Sequence, residues 1–220
     1  MSMVRYRPHV IMNAAMTLDG KITTVARDSK ISSTKDLLRV HRLRSKVDAV
    51  MVGINTVLAD DPMLTARRVK GRNPSRIIVD SKARIGLNSR IMRSCNKILT
   101  IIATSQKASK VKLKKIIARG AIVIVLGKNK VDLAKLLSIL KDSGMNRLLV
   151  EGGGEINWAM LANGFVDEVM VTVAPRIVGG RNAVTLVEGA GFAKVSKGIK
   201  LKLYRTAKNG NEVVLFYRVV

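Results

Sequence analysis

Six short, nearly uninterrupted apolar runs, at residues 10–15, 49–52, 76–79, 98–103, 121–126 and 148–150, limit what this chain can fold into more than any other feature. A strand with one wet face alternates apolar and polar residues, so continuous runs predict strands covered on both faces. Helix patterns stand between them. Ser33 and Asp36 form an S-x-x-D capping signal ahead of Leu37, Val40 and Leu43. Leu133, Leu136, Leu137 and Leu140 make an i, i+3, i+4, i+7 stripe. A further helix is predicted over 107–119, with Leu113, Ile116 and Ile117 inward. Strands and helices in alternation predict an α/β fold with a mainly parallel sheet flanked by helices. The last third differs. Val169, Val171 and Val173 alternate along one strand, and residues 199–206 match 212–219 across Asn209-Gly210, a hairpin signal. The sheet is therefore expected to be mixed, ending in an antiparallel hairpin. With 47% hydrophobic content, 220 residues are expected to form a single domain, 1–220. Residues 60–74 form the longest aperiodic stretch before the last third, and such loops are often functional.

Composition removes several classes of function. No apolar stretch reaches eighteen residues, and Arg5 and Arg7 precede a strand-like run instead of a signal-peptide core, so no membrane partner and a cytoplasmic location are expected. One cysteine, Cys95, and two histidines, His9 and His41, cannot assemble a disulfide framework or a Cys/His metal cluster, and no metal is expected. The net charge of +25 concentrates anions around the protein. Yet the cations are spread along the whole chain, and its seven aromatics are not interleaved with them as base-stacking platforms require. The excess reads as a solvated surface that attracts phosphorylated small molecules. A basic nucleic-acid-binding protein is the alternative from another class.

Polar loops follow the strands at the edge where open α/β sheets bind ligands. After the first run stand Asn13, Thr17, Asp19 and Lys21; after the second, Gly53, Asn55, Thr56, Asp60, Asp61 and, downstream, Arg67. The second loop also reads as a helix cap at Asn55 followed by an Asp-Pro turn. Asp80, Ser81 and Arg84 follow the third run. The last run leads into Glu151, Gly152, Gly153, Gly154 and Glu155, where absent Cβ atoms let backbone N–H groups approach a ligand and a helix start favours a phosphate. A nucleotide loop and a ligand-free strand-to-helix turn both fit these residues. The dinucleotide fingerprint does not, because Asn157 occupies the place of its last glycine.

Taken in order, NAAMTLDGK, VHRLR, VGINTVLADDPMLTAR, NPSRIIVDS, VEGGGEINW and VDEVMVTVAPRIVGG resemble the reductase family of riboflavin biosynthesis, across about residues 8–180. The resemblance is to the stand-alone archaeal and fungal members, since the H-x-E and P-C-x-x-C signatures of the zinc deaminase domain are missing. It implies a dihydrofolate-reductase-like fold, a homodimer, and NADPH-dependent reduction (NADH being the other candidate) of the phosphoribosylamino group of a diaminopyrimidinone 5′-phosphate. The sugar ring opens to an imine and C1′ receives hydride. The resemblance further implies that Asn13, Gly53, Thr56, Asp60, Ser81, Arg84, residues 152–154 and Glu155 contact the cofactor. Lys21, Arg44, Asp60, Arg67 and Glu151 would hold the ribose and phosphate, with Lys21 or Glu151 assisting proton movement. Family members often carry an aromatic residue at the position of Ile31, and this chain departs from them there. A dihydrofolate-reductase-type enzyme is the alternative within the same fold. His41 reads as a packed helix residue and Trp158 as an anchor in the core.

Overall fold

The structure, a computed structural model, describes residues 6–220; Arg5 lies outside the described residues. The chain forms two compact units, each assembled from separated stretches: Met1–His9 with Arg44–Leu148, and Val10–Leu43 with Leu149–Val220. Among the described residues no helix is long and apolar enough to cross a membrane.

In the first unit, β2 (Ala49–Gly53), β3 (Ser75–Val79), β4 (Thr100–Thr104) and β5 (Ile122–Val125) pair in parallel in the order β5-β4-β3-β2. Their apolar runs form the core, with Val50, Met51, Val52, Ile77, Ile78 and Ile102 fully buried. Three helices connect them, α2 (Ile54–Asp60), α3 (Arg90–Arg93) and α4 (Lys110–Ala118), and α5 (Leu133–Asp142) follows β5. The leucine stripe of α5 buries Leu136, Leu137 and Leu140, and Asp132 caps the helix by accepting from the Lys135 N–H at 3.0 Å. Two expectations need correction here. Ile117 of α4 is exposed instead of facing inward, and β5 is a thinly covered edge strand with Ile122 and Val125 about half exposed. An edge strand offers one side less to cover, so the stripe of α4 narrows around Ile116.

The run at 76–79 begins with a charge that the core absorbs whole. Arg76 is fully buried and donates to Thr100 Oγ1 at 2.7 and 3.0 Å, Ser94 Oγ at 2.8 Å, and the carbonyls of Ile91 and Ile98 at 3.1 and 3.3 Å. All of these partners are neutral, and burial pushes the guanidinium down to about 10. Each donor finds an acceptor, which is the condition for placing a cation in such a core.

In the second unit, β1 (His9–Thr17) pairs in parallel with β7 (Glu168–Ala174), β7 pairs antiparallel with β9 (Glu212–Val219), and β9 pairs antiparallel with β8 (Leu201–Asn209). The sheet is thus mixed and mostly parallel, with antiparallel strands at the C-terminus. Helix α1 (Thr34–Arg44) starts as its capping signal predicts, Ser33 Oγ accepting from the Asp36 N–H at 3.2 Å. His41 is buried in it, and Trp158 of α6 (Gly154–Ala162) is half-buried edge-on to Phe192 at 5.1 Å. The hairpin turn lies one residue later than the sequence signal: Asn209 still pairs with Glu212, leaving Gly210 and Asn211 as the loop. Gly210 has φ +70°, which the first loop position of a II′ turn demands. Strand β6 (Arg147–Val150) carries the chain from the first unit into the second.

Candidate active site

The candidate residues of the first unit follow the carboxyl ends of β2 and β3, and the loop expected directly after β2 is instead the helix α2. Gly53 and Thr56 lie where β2 turns directly into α2, and Asp60 is its last residue. Beyond it, residues 61–74 contain neither helix nor strand, and the turn is tight enough to put Asp61 at φ +39° and Leu64 at φ +52°, the left-handed region that non-glycine residues seldom occupy. Asp61 Oδ1 accepts from the Arg90 N–H at 2.8 Å, fastening the turn to α3. The turn delivers Thr65, which is buried and binds two guanidinium groups: Arg44 Nη1 donates to its carbonyl at 3.1 Å and Arg67 Nη1 to its hydroxyl at 3.2 Å. Arg44 is therefore no stray surface cation. Desolvation lowers the pKa of Arg67, and the charges of Arg44, Arg90 and Arg68 lower it further. Like charges so arranged are an anion site in waiting, and paired guanidinium forks match phosphate oxygens.

After β3, Asp80 is fully buried, and its Oδ2 accepts from the Ile85 N–H at 2.8 Å. This holds Ala83 at φ +52° and projects Arg84 outward, where its Nη2 donates to Asn55 Oδ1 at 2.7 Å. Asn55 does not cap α2, as its local sequence allowed; it orients Arg84. Ser81 is built into the scaffold: its hydroxyl accepts from the Val131 N–H at 3.2 Å, and its carbonyl accepts from Ser105 Oγ at 2.8 Å.

In the second unit, Asn13 is buried on β1 with its Oδ1 accepting from Arg39 Nη2 at 2.8 Å, and Arg39 also binds Asp36 at 2.7 Å. Lys21 closes a turn on the end of β1: its N–H donates to Thr17 Oγ1 at 3.0 Å and its carbonyl accepts from the Thr17 N–H at 2.9 Å. The turn thus fixes the backbone of Lys21, while among the described residues its ammonium has no hydrogen-bond or ion-pair partner. Asp19 in the same turn accepts from the Gly179 and Val178 N–H groups at 2.8 and 3.3 Å. Hydrogen bonding, first from Thr17 and then from this loop, holds its carboxyl below the usual range against the opposing effect of desolvation.

Glu151 is half-buried at the end of β6, followed by Gly152 at φ +87°, a conformation that favours glycine, and by Gly153 at the N-cap of α6. Gly154 is glycine for a different reason than ligand approach: a Cβ there would stand 2.5 Å from Glu188 Cγ and 2.8 Å from the Thr185 carbonyl oxygen. The first-turn N–H groups of Gly154 and Glu155 donate to no group among the described residues, as an anion-binding helix start requires. The resemblance drawn from the motifs implies a nicotinamide cofactor, and these residues fit one: free N–H groups for a pyrophosphate, and in Arg84 a guanidinium with spare donors. Sequence reasoning missed residues 184–188, which bind both the Lys21 turn and the glycine turn; that stretch carries neither periodicity nor a motif.

The family described as the RibD C-terminal domain matches residues 8–215. A 2,5-diamino-6-ribosylamino-4(3H)-pyrimidinone 5′-phosphate reductase of Methanothermobacter thermautotrophicus is 48% identical over 97% of this chain and 99% of its own. A protein of the same name from Aquifex aeolicus is 40% identical over 97% of both. Among solved structures, Acinetobacter baumannii RibD aligns with a TM-score of 0.84 at 24% identity, over 98% of this chain and 58% of that one, so the chain spans under two thirds of that protein. A dihydrofolate reductase from Enterococcus faecalis, complexed with NADP(H), aligns with a TM-score of 0.54 at 10% identity, over 96% of each chain. These likenesses make the fold dihydrofolate-reductase-like.

Proposed function

The chain belongs to the RibD C-terminal domain family, and from that premise we propose that it is the NADPH-dependent reductase of 2,5-diamino-6-ribosylamino-4(3H)-pyrimidinone 5′-phosphate in riboflavin biosynthesis. The observation that carries the reading is the pair of guanidinium groups, Arg44 and Arg67, on the one buried residue Thr65. They suit a phosphate monoester, and the near end-to-end likeness to reductases of that substrate says which one. When bound, the nicotinamide supplies the hydride that C1′ of the opened sugar receives. Arg84, oriented by Asn55, takes the 2′-phosphate that distinguishes NADPH from NADH, with Thr56 and Asp60 of α2 and Ser81 after β3 assigned to the same cofactor. The N–H groups at the start of α6 take the pyrophosphate, with Asn13, Gly53 and Glu155 completing the set carried over by motif. Lys21 and Glu151 face the ribose and move protons at its opening and at the imine nitrogen. The activity belongs, in this reading, to the cytoplasm.

The protein acts as a homodimer in this proposal. Strand β7 is flanked by β1 and β9, with Val169 and Val171 buried. The face to which those valines belong lies open farther along, where Leu201 and Leu203 of β8 stand beside Val219 and Tyr217 of β9, and Leu215 and Val213 continue the row opposite Thr206 and Lys208. A second copy is the occupant such a self-complementary apolar face suits.

The test follows cofactor absorbance on addition of the phosphorylated pyrimidine to the purified protein. NADPH is expected to be consumed with that substrate and not with dihydrofolate. Glu151→Gln is expected to keep its NADPH affinity and lose about a hundredfold or more in kcat, the ordinary worth of a positioned acid or base. Unchanged turnover would remove Glu151 from the site.

A further inference from the structure

Residues 184–188 lace together two parts of the second unit that the proposed reaction uses. Lys21 and Thr185 face each other in an isolated antiparallel bridge, flanked by bonds from the Ile22 N–H to the Val184 carbonyl at 2.8 Å and from the Leu186 N–H to the Gly20 carbonyl at 3.0 Å. A pair flanked in this way is the non-hydrogen-bonded kind, whose side chains stand closest. The Lys21 stem therefore runs beside Thr185. On the other side, the Glu188 N–H donates to the Gly154 carbonyl at 3.1 Å, and Asn157 Nδ2 donates to the Leu186 carbonyl at 2.8 Å.

The Glu188 side chain turns back on this segment. Its Oε1 accepts from the N–H of Thr185 at 2.7 Å and lies 2.8 Å from its hydroxyl, whose one proton is shared between this oxygen and the Val187 carbonyl at 2.9 Å. Its Cγ fills the volume that a Cβ on Gly154 would need. A carboxylate doubly held in this way is a fixed negative charge beside the residue that faces Lys21. In accord with this, the Glu188 carboxyl is held below the usual range, first by the Thr185 N–H and hydroxyl and further, against desolvation, by the charges of Lys21 and Arg27.

We infer that Glu188, clamped to Thr185, is a positioning residue that aims the Lys21 ammonium at the substrate. It touches neither substrate nor cofactor; it acts through Lys21. The inference rests on the function proposed above, in which Lys21 holds the phosphorylated sugar.

A double-mutant cycle tests it, because a residue acting through Lys21 has nothing to act on once Lys21 is removed, whereas a loss of scaffold adds to any other lesion. The affinity for the phosphorylated pyrimidine is measured by calorimetry with oxidised cofactor present. Glu188→Gln, which keeps the acceptor and removes the charge, is expected to weaken substrate binding about fivefold in the parent protein and less than twofold in Lys21→Ala. NADPH affinity should stay within about twofold throughout, since the Glu188 N–H bond to Gly154 survives. Thr185→Val should repeat the loss and Thr185→Ser restore it. Equal losses in both backgrounds, or parental substrate affinity in Glu188→Gln, would overturn the inference. Parental affinity in Lys21→Ala would overturn it together with the role given to Lys21. A parent protein that does not turn over the pyrimidine at all would defeat the underlying reading before any variant is made.

Discussion

Asp48 shows how much one side chain can hold. Its Oδ2 accepts from the Asn146 and Arg147 N–H groups, each at 2.9 Å, and its Oδ1 from Arg72, so it pins the start of β6 to the first unit. Burial alone would raise its pKa, but the hydrogen bonds from Arg147, Asn146 and Arg72 outweigh it and leave the carboxyl below the ordinary 3.8. A carboxyl depressed in the folded state stabilises the fold fully above 3.8, and that contribution is lost as pH falls through its lower folded value. Asp48→Asn is therefore expected to melt about 2–4 °C lower at neutral pH, for a loss of roughly 1 kcal/mol, and to show a shallower decline below pH 4. A melting series across acid pH checks both parts; identical acid limbs would deny Asp48 this role. At this scale legibility was uneven. Asp36 and Ser33 announced a helix start by spacing, and the structure has it. Nothing local told that Arg76 lies in the core, because its acceptors come from α3, the turn after it and the start of β4. The same holds for Gly154, where the clash comes from a residue thirty-four positions later.

Strands read well where burial is complete and poorly where it is not. The runs at 49–52 and 76–79 became β2 and β3, because a strand covered on both faces leaves an unbroken apolar signature. The equally apolar run at 121–126 became an edge strand, since composition records hydrophobicity but not how many neighbours a strand has. The hairpin slipped by one residue because Gly210, not the preceding Asn209, supplies the positive φ. The open face of β8 and β9 gives a prediction proper to this scale. Leu203→Glu puts a charge at its centre and is expected to convert a dimer to monomers in size-exclusion chromatography with light scattering, with the fold unchanged by circular dichroism. The parental mass for both proteins would assign the face another purpose.

For the molecule as a whole, the charge of +25 and a ligand set made of anions point the same way. Saturating NADPH, at about 100 times its Kd, is expected to stabilise the folded state by about 2.7 kcal/mol and raise Tm accordingly. The pyrimidine substrate should lose affinity as salt rises, through screening of the field around Arg44 and Arg67. No thermal shift with NADPH would count against the cofactor. The family was legible because its motifs, which run from strand ends through loops into helix starts, keep a fixed order along the chain. The ties among those loops were not, since they run through backbone groups that every residue possesses.

The interleaving of the two units sets an order in which they can form during synthesis. All of the first unit has been translated once Leu148 is made, whereas residues 10–43 belong with Leu149–Val220. At roughly 5–20 residues per second, the ribosome needs several seconds to supply that remainder. Through that interval β1 waits for β7, the strand beside which it pairs in parallel. A nascent chain stalled just past Leu148 thus carries an apolar strand, with Val10, Ile11 and Met12 among its residues, whose cover belongs to chain not yet made.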